Sequence, residues 1–337
     1  MKKRTSLKDI AREVGVSPAL VSYVLNEKKT GRINKEVAQK IKDTARELNY
    51  RTNEIARGLK TNKTNTIGFI VSNIANPFSS NLARIVEDEA AKNNLTVLFG
   101  SSDENPAKFE KLVNTFLNRY VDGLIIAPGE HTIEQVRYLQ QQEIPFVLID
   151  RYFPTVDTNY VVLDNYKASY DAINHLINCG SKRLGMINYE TTLHNLNERT
   201  TGYLAALENL TGDYTKELLR MVHGPNLQAM ISGAIDELLD LRQPVDAILF
   251  ASNEIAMYGV VHLNNRKIKV PDDISIITFD EMISWDLFYA PLTYIKQPLQ
   301  KMGELATKIL LENIAGNLPV QQINLAGSLI IRASTRS

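Results

Sequence analysis

Apolar residues recur at helical spacing in three short stretches near the amino terminus. Leu7, Ile10, Ala11 and Val14 make one stripe, Leu20, Val21, Val24 and Leu25 a second, and Val37, Ile41, Ala45 and Leu48 a third. Spacings of three and four put each set on one helix face. The punctuation between them agrees. Ser6-Leu-Lys-Asp9 is a capping-box variant, in which the hydroxyl accepts an orphan N–H and the acid reaches back. Gly15 suits the left-handed position that ends a helix. Ser17-Pro18 starts the next, with serine as N-cap and proline in the first turn, and the third begins near Asn34. Helix, short glycine-bearing turn, helix is the form of a helix-turn-helix. From Thr66 the pattern changes. Short apolar runs (Ile67–Val71, Val97–Phe99, Gly123–Ile126, Phe146–Ile149, Val161–Leu163, Leu184–Ile187, Ala247–Phe250 and Ile274–Ile277) alternate with helical segments such as 79–93, 106–119, 165–178 and 254–265. This predicts repeated βαβ units in two open sheets. Ligands in such sheets sit at the carboxyl ends of strands. Asn76, Asp150, Asn253, Glu254 and Asp280 all fall at such ends.

Charge separates the two regions. The chain of 337 residues has a formal net charge of zero, but residues 1–65 hold 16 basic against seven acidic residues, a net +9. The remainder is correspondingly acidic. A small basic module on an acidic body suggests binding to a polyanion; a solvated Lys-rich helical face would look the same from charge alone. No apolar run approaches the ~20 residues that span a bilayer. Met1-Lys-Lys-Arg4 imitates the start of an export signal, but no apolar segment follows, so no export, no membrane partner and a cytoplasmic location are expected. The single cysteine, Cys179, excludes an internal disulfide and a cysteine-based metal cage. The five histidines are scattered, and neither a phosphate-binding glycine loop nor an activated nucleophile is evident, so no catalytic residue, metal or cofactor is expected.

Leu7-Lys-Asp-Ile-Ala11, Gly15-Val-Ser17, Val21-Ser22, Asn26 and Leu48-Asn-Tyr50 resemble the DNA-binding head of the lactose-repressor (LacI/GalR) family. Asn53-Glu-Ile-Ala56 and Leu59 are similar to that family's hinge helix. The resemblance implies a helix-turn-helix domain over 1–60 with a hinge helix at 53–60, and 61–65 as linker. Residues 18–25 would lie in the major groove of double-stranded operator DNA, with Pro18, Ala19, Ser22 and Tyr23 toward bases or phosphates. Ser6, Ser17 and Asn26 would add DNA contacts, and Ala56 and Leu59 would enter the minor groove, Leu59 as a wedge between base steps. The chain departs from the family at Leu20 and Tyr23, where Thr and Arg are common, and at Thr52, where Pro is common. Tyrosine cannot read guanine bidentately as arginine can.

The resemblance continues through Asn76-Pro-Phe78, Val121-Asp-Gly123-Leu-Ile-Ile, Asp150, Arg199-Thr-Thr-Gly202-Tyr, Ser252-Asn253-Glu254 and Pro291-Leu-Thr with Lys296-Gln297. It implies an α/β core of two lobes, similar to periplasmic binding proteins of type I, over 66–337. Crossovers near 163, 291 and 325 would divide it into 66–163 with 292–325 and 164–291 with 326–337. By the same resemblance a small-molecule effector, a sugar or sugar derivative, binds between the lobes on Asn76, Phe78, Asp150, Arg199, Asn253, Asp280, Trp285 and Gln297. Arginine, carboxylates and amides offer the mixed donors and acceptors that adjacent hydroxyls need. Phe78, Trp285 and Phe288 would face a sugar ring or, equally, pack the lobe core. Arg199 is expected to open the helix after the Leu184–Ile187 strand. The chain stops soon after Leu329–Ile331 without a leucine-heptad segment, so a homodimer is expected. The implied function is a sequence-specific transcription regulator, a repressor under allosteric control. The alternatives are a solute-binding protein of a transport system and a nucleotide-dependent α/β enzyme; the basic head argues against the first and the absent phosphate loop against the second.

Overall fold

The computed structural model describes residues 5–26, 33–50, 63–208, 216–316 and 319–336. The chain divides into two compact units, Met1–Thr64 and Asn65–Ser337. Residues 53–60, with Thr52, Ala56 and Leu59, lie outside the described set.

The first unit contains α1 (Leu7–Val14), α2 (Pro18–Leu25) and α3 (Lys35–Glu47). Its core is built from the three stripes: Ile10, Ala11, Val21, Val24, Ile41 and Ala45 are buried together. The Asp9 carboxylate accepts from the Ser6 backbone N–H at 2.9 Å and from its hydroxyl at 2.7 Å. Gly15 adopts φ +81° and donates its N–H to the Ala11 carbonyl, so the turn needs the one residue without a Cβ. Ser17 caps α2 by accepting from the Leu20 N–H, and Asn34 caps α3 through the N–H groups of Glu36 and Val37.

The second unit holds two six-stranded sheets. Its elements run β1 (Thr66–Val71), α4 (Pro77–Lys92), β2 (Thr96–Ser101), α5 (Pro106–Asn118), β3 (Gly123–Ile126), α6 (Ile133–Gln141), β4 (Phe146–Ile149), β5 (Tyr160–Leu163), α7 (Asn165–Asn178), β6 (Leu184–Tyr189) and α8 (His194–Leu207). They continue with β7 (Leu219–Val222), α9 (Leu227–Leu239), β8 (Ala247–Phe250), α10 (Asn253–Asn265), β9 (Ser275–Phe279), β10 (Thr293–Lys296), α11 (Leu299–Ile314), β11 (Gln322–Leu325) and β12 (Ser328–Ile330). The strand orders are β11-β5-β4-β3-β1-β2 and β12-β10-β9-β8-β6-β7, the same plan repeated. Among the described residues all pairings are parallel except β10 with β12. The first sheet is sandwiched between α4 with α11, which meet it through Val86, Met302 and Leu310, and α5 with α6, which meet it through Phe109, Phe116 and Leu139. The pairs α7–α8 and α9–α10 share one continuous core with the second sheet. Parallel strands buried on both faces explain the unbroken apolar runs.

One expected crossover moves. Thr293–Lys296 bonds β9 in the second sheet, so the chain returns to the first lobe at Gln297–Pro298, after β10, rather than near 291. Those four residues are too few to show periodicity; the partner strand assigns them. The α7–α8 contact is unusually close. A Cβ on Gly202 would lie 2.1 Å from the Tyr166 carbonyl oxygen, so glycine alone permits this approach.

Candidate functional site

Carboxyl ends of strands from both lobes face one cleft of about 480 Å³, within the ~300–1,000 Å³ usual for small-molecule sites. Asp150 follows β4 and Asp280 follows β9, and both adopt left-handed backbone, φ +67° and +74°. Aspartate tolerates this conformation better than most residues. The two lobes thus present matching carboxylates. Asp280 is buried and accepts from Gln297 Nε2 at 2.7 Å. Burial raises its pKa, and the Arg199 charge opposes the rise. Asp150 is buried as well, with Arg151 Nε 3.6 Å away. Desolvation pushes its pKa up to about 6, against the pull of Arg151 and Arg199.

Arg199 lies in the second turn of α8 rather than opening it, because the helix starts at His194. It is 3% exposed. Its Nε donates to Asn165 Oδ1 at 2.8 Å and its Nη1 to the Ala251 carbonyl at 2.6 Å, while the guanidinium lies 3.7 Å from the centre of the Phe279 ring. Arg199 therefore ties α7, α8 and the end of β8 together beneath the cleft. It forms no direct ion pair with Asp280 within 4 Å.

Asn76 caps α4 and Asn253 is the first residue of α10, and the two side chains meet between the lobes. Asn76 Nδ2 donates to Asn253 Oδ1 at 3.2 Å, and Asn253 Nδ2 donates back at 2.9 Å. Glu130, after β3, makes a second bridge. It accepts from the Thr191 hydroxyl at 2.6 Å, the Thr192 hydroxyl at 3.0 Å and the Thr192 N–H.

Asn76, Phe78, Asp150, Arg199, Asn253, Asp280 and Gln297 all line this cleft. Trp285 does not, and the expectation that it faces a ligand is corrected. It is 3% exposed in the core of the second lobe, where its Nε1–H bonds the Asp280 carbonyl at 2.9 Å. Its short 3-10 helix, Ile283–Leu287, turns the indole inward and leaves Ile283 and Leu287 outside. Phe288 also packs against that core. Sequence reasoning missed Arg151, held by Glu104 in two bonds of 2.9 and 2.8 Å, as well as Glu130, Tyr189 and Asn195. Arg151 adjoins Asp150, and a charged pair after an apolar strand was the available signal; the others lie on loops or at element ends without one. Among the described residues no cluster of His, Cys, Asp and Glu could hold a metal ion.

In the first unit, Ser6, Ser17, Pro18, Ala19 and Tyr23 are exposed. Ser22 and Asn26 are half-buried and bond each other: Asn26 Nδ2 donates to the Ser22 carbonyl at 2.7 Å and to its hydroxyl at 3.3 Å. Ala56 and Leu59 lie outside the described residues.

Comparison with known proteins assigns both units. Residues 6–53 match the family of bacterial regulatory proteins of lacI type, and residues 173–335 match the periplasmic binding protein-like domain. The chain is 32% identical to catabolite control protein A of Priestia megaterium over 317 residues, 90% of each chain. It is 31% identical to the HTH-type transcriptional regulator RegA of Clostridium saccharobutylicum, over 91% of this chain and 92% of that one. The fold matches that of the lac repressor dimer bound to operator and the anti-inducer ONPF, with a TM-score of 0.86 at 20% identity over 99% and 100% of the two chains. A helix-turn-helix head, a two-lobed α/β core with the periplasmic-binding-protein plan and relatives that are transcription regulators make this chain a member of the LacI family.

Proposed function

We propose that this LacI-family regulator is a repressor that binds operator DNA as a homodimer and releases or tightens its grip when a sugar or sugar derivative enters the cleft. One observation carries the reading: Asp150, Arg199, Asn253, Asp280 and Gln297, far apart in sequence, converge on one cleft between the lobes. Carboxylates, amides and a guanidinium around one half-buried ring, Phe78, suit a polyol that offers hydroxyls at its edge and C–H groups on its face. Pro18, Ala19 and Tyr23 are the candidates for reading bases, and Ser6, Ser17, Ser22 and Asn26 for phosphates. The bond between Ser22 and Asn26 favours Ser17 over these two. Ala56 and Leu59 are assigned to the minor groove on family resemblance. Ile283, Leu287, Tyr289, Met257 and Val261 are large apolar side chains exposed on the second lobe, which supports a homodimer contact there. The effector would change the lobe arrangement, and with it the spacing of the paired hinge segments; coupling is reciprocal, and either sign is possible. A regulator of this kind acts in the cytoplasm and catalyses no reaction.

The test is operator binding with and without ligand. Duplexes selected from a random pool by the full chain are titrated by fluorescence anisotropy across a salt series. A basic head, doubled in a dimer, gives a log–log slope of roughly −0.9 per neutralised phosphate. Leu59→Ala should weaken operator binding more than binding to random DNA, since unstacking a base step costs a few kcal/mol that the wedge offsets. A flat salt dependence, or an affinity that no sugar changes, would overturn the reading.

A further inference from the structure

We infer that the cleft selects a sugar without an anionic substituent, neutral or amino-substituted, and rejects phosphorylated sugars and sugar acids; this rests on the proposed sugar effector and narrows it. Among the described residues the cleft is lined by six carboxylates, Glu104, Glu130, Asp150, Glu190, Glu254 and Asp280, against two guanidinium groups, Arg151 and Arg199. Most of the negative charge is left standing. Glu130 is satisfied by Thr191 and Thr192, Glu254 by the Tyr189 hydroxyl at 2.8 Å, and Asp280 by the Gln297 amide. These donors complete hydrogen bonds without cancelling charge. Both cations are already engaged, Arg151 in the two-bonded pair with Glu104 and Arg199 with Asn165 and the Ala251 carbonyl. His223 at the rim faces Glu190 at 2.9 Å. An entering phosphate would meet a net negative field in a partly desolvated space, where like charges repel strongly.

The unpartnered groups carry the same preference. Gln297 Oε1 and Asn195 Oδ1 are buried acceptors with no hydrogen bond. Both residues line the cleft and are 5% exposed. Asp150 is a third buried acceptor, with only the 3.6 Å approach of Arg151 Nε, whose own N–H is unbonded. A buried acceptor without a donor is costly, so each favours a ligand that supplies O–H or N–H. These buried acceptors favour a ligand that brings donors. Hydroxyls and an ammonium group fit; a phosphate, which brings acceptors, does not.

The experiment is calorimetric titration of the full chain with matched sets: glucose, glucosamine and glucose 6-phosphate; galactose, galactosamine and galactose 6-phosphate; ribose and ribose 5-phosphate. Adenine and guanine serve as neutral non-sugar probes. The expected result is binding by a neutral or amino sugar, with the matching phosphate weaker by about tenfold or more and the gap narrowing at high salt, where screening shortens the reach of the field. Glu190→Gln, which removes one of the six carboxylate charges at the exposed rim of the cleft, should narrow the gap between each neutral sugar and its phosphate. A phosphorylated sugar that binds as tightly as its parent overturns the charge selection and leaves the sugar reading intact. Binding by a purine base with none by any sugar overturns the sugar reading itself.

Discussion

Asp150→Asn should make the protein more stable and a poorer sensor at once. The carboxylate sits in the cleft with a pKa of about 6 against an ordinary 3.8, because burial strips it of water and Asp280 and Glu104 add repulsion that Arg151 and Arg199 only partly offset. A carboxyl whose folded pKa is raised costs nothing below its unfolded value. The stability is lost as pH rises through the folded value, here between about 4 and 6, and the loss is constant above that. Every tenfold change in proton affinity corresponds to ~1.36 kcal/mol, so the ionised Asp150 destabilises the unliganded fold by about 3 kcal/mol near neutral pH. The asparagine keeps the shape and removes the charge. At ~2–4 °C per kcal/mol for a domain of this size, the variant should melt roughly 6–12 °C above the wild type near neutral pH and level with it near pH 4. Effector binding should move the other way. A charge-assisted bond to a ligand hydroxyl is worth ~1.5–3 kcal/mol, a loss of roughly ten- to 150-fold in affinity. Scanning calorimetry of both proteins from pH 4 to 8, with titration of the effector, checks both halves. A variant that melts at or below the wild type near neutral pH would refute the desolvation argument. A gap independent of pH would show that the change acts through packing instead.

Gly202→Ala would ordinarily help a helix by up to ~1 kcal/mol; here the added Cβ meets the Tyr166 carbonyl oxygen, so a loss of about 1–3 kcal/mol is expected, and a melting temperature at or above wild type would contradict the close approach of α7 and α8. Trp285→Phe removes the donor to the Asp280 carbonyl and should weaken effector binding although the indole does not reach the cleft; unchanged affinity by calorimetry would mean that the Asp280 turn is held by other contacts. Asn76→Ala deletes both amide bonds between the lobes, ~0.5–1.5 kcal/mol each, and should enlarge the radius of gyration of the ligand-free core in solution scattering; an identical scattering curve counts against the bridge.

The elements of this protein are written locally. Ile10, Val21 and Ile41 fall on buried helix faces because a helix repeats every 3.6 residues, and the stripes show that period. Gly15, Ser17 and Pro18 mark the turn because each satisfies or omits a backbone group within four residues of itself. The strands of both sheets were equally plain wherever helices cover both faces, as at Phe146–Ile149 and Ala247–Phe250. Asp150 and Asp280 stood out as polar residues at the ends of such runs. Tertiary pairing decided the rest. Thr293–Lys296 joined the second sheet because of β9, and Leu219–Val222 and Gln322–Leu325, at sheet edges, carry mixed polarity that no local period reveals. Trp285 turned inward with a five-residue 3-10 helix, a rotation that residue type alone leaves open. Glu130, Asn195 and Arg151 became cleft residues only when two lobes faced each other. Short-range periodicity sets what each segment is, since it depends on the residue's own turn or pleat; which segments meet, and what charge gathers where they do, depends on contacts between residues far apart in the chain.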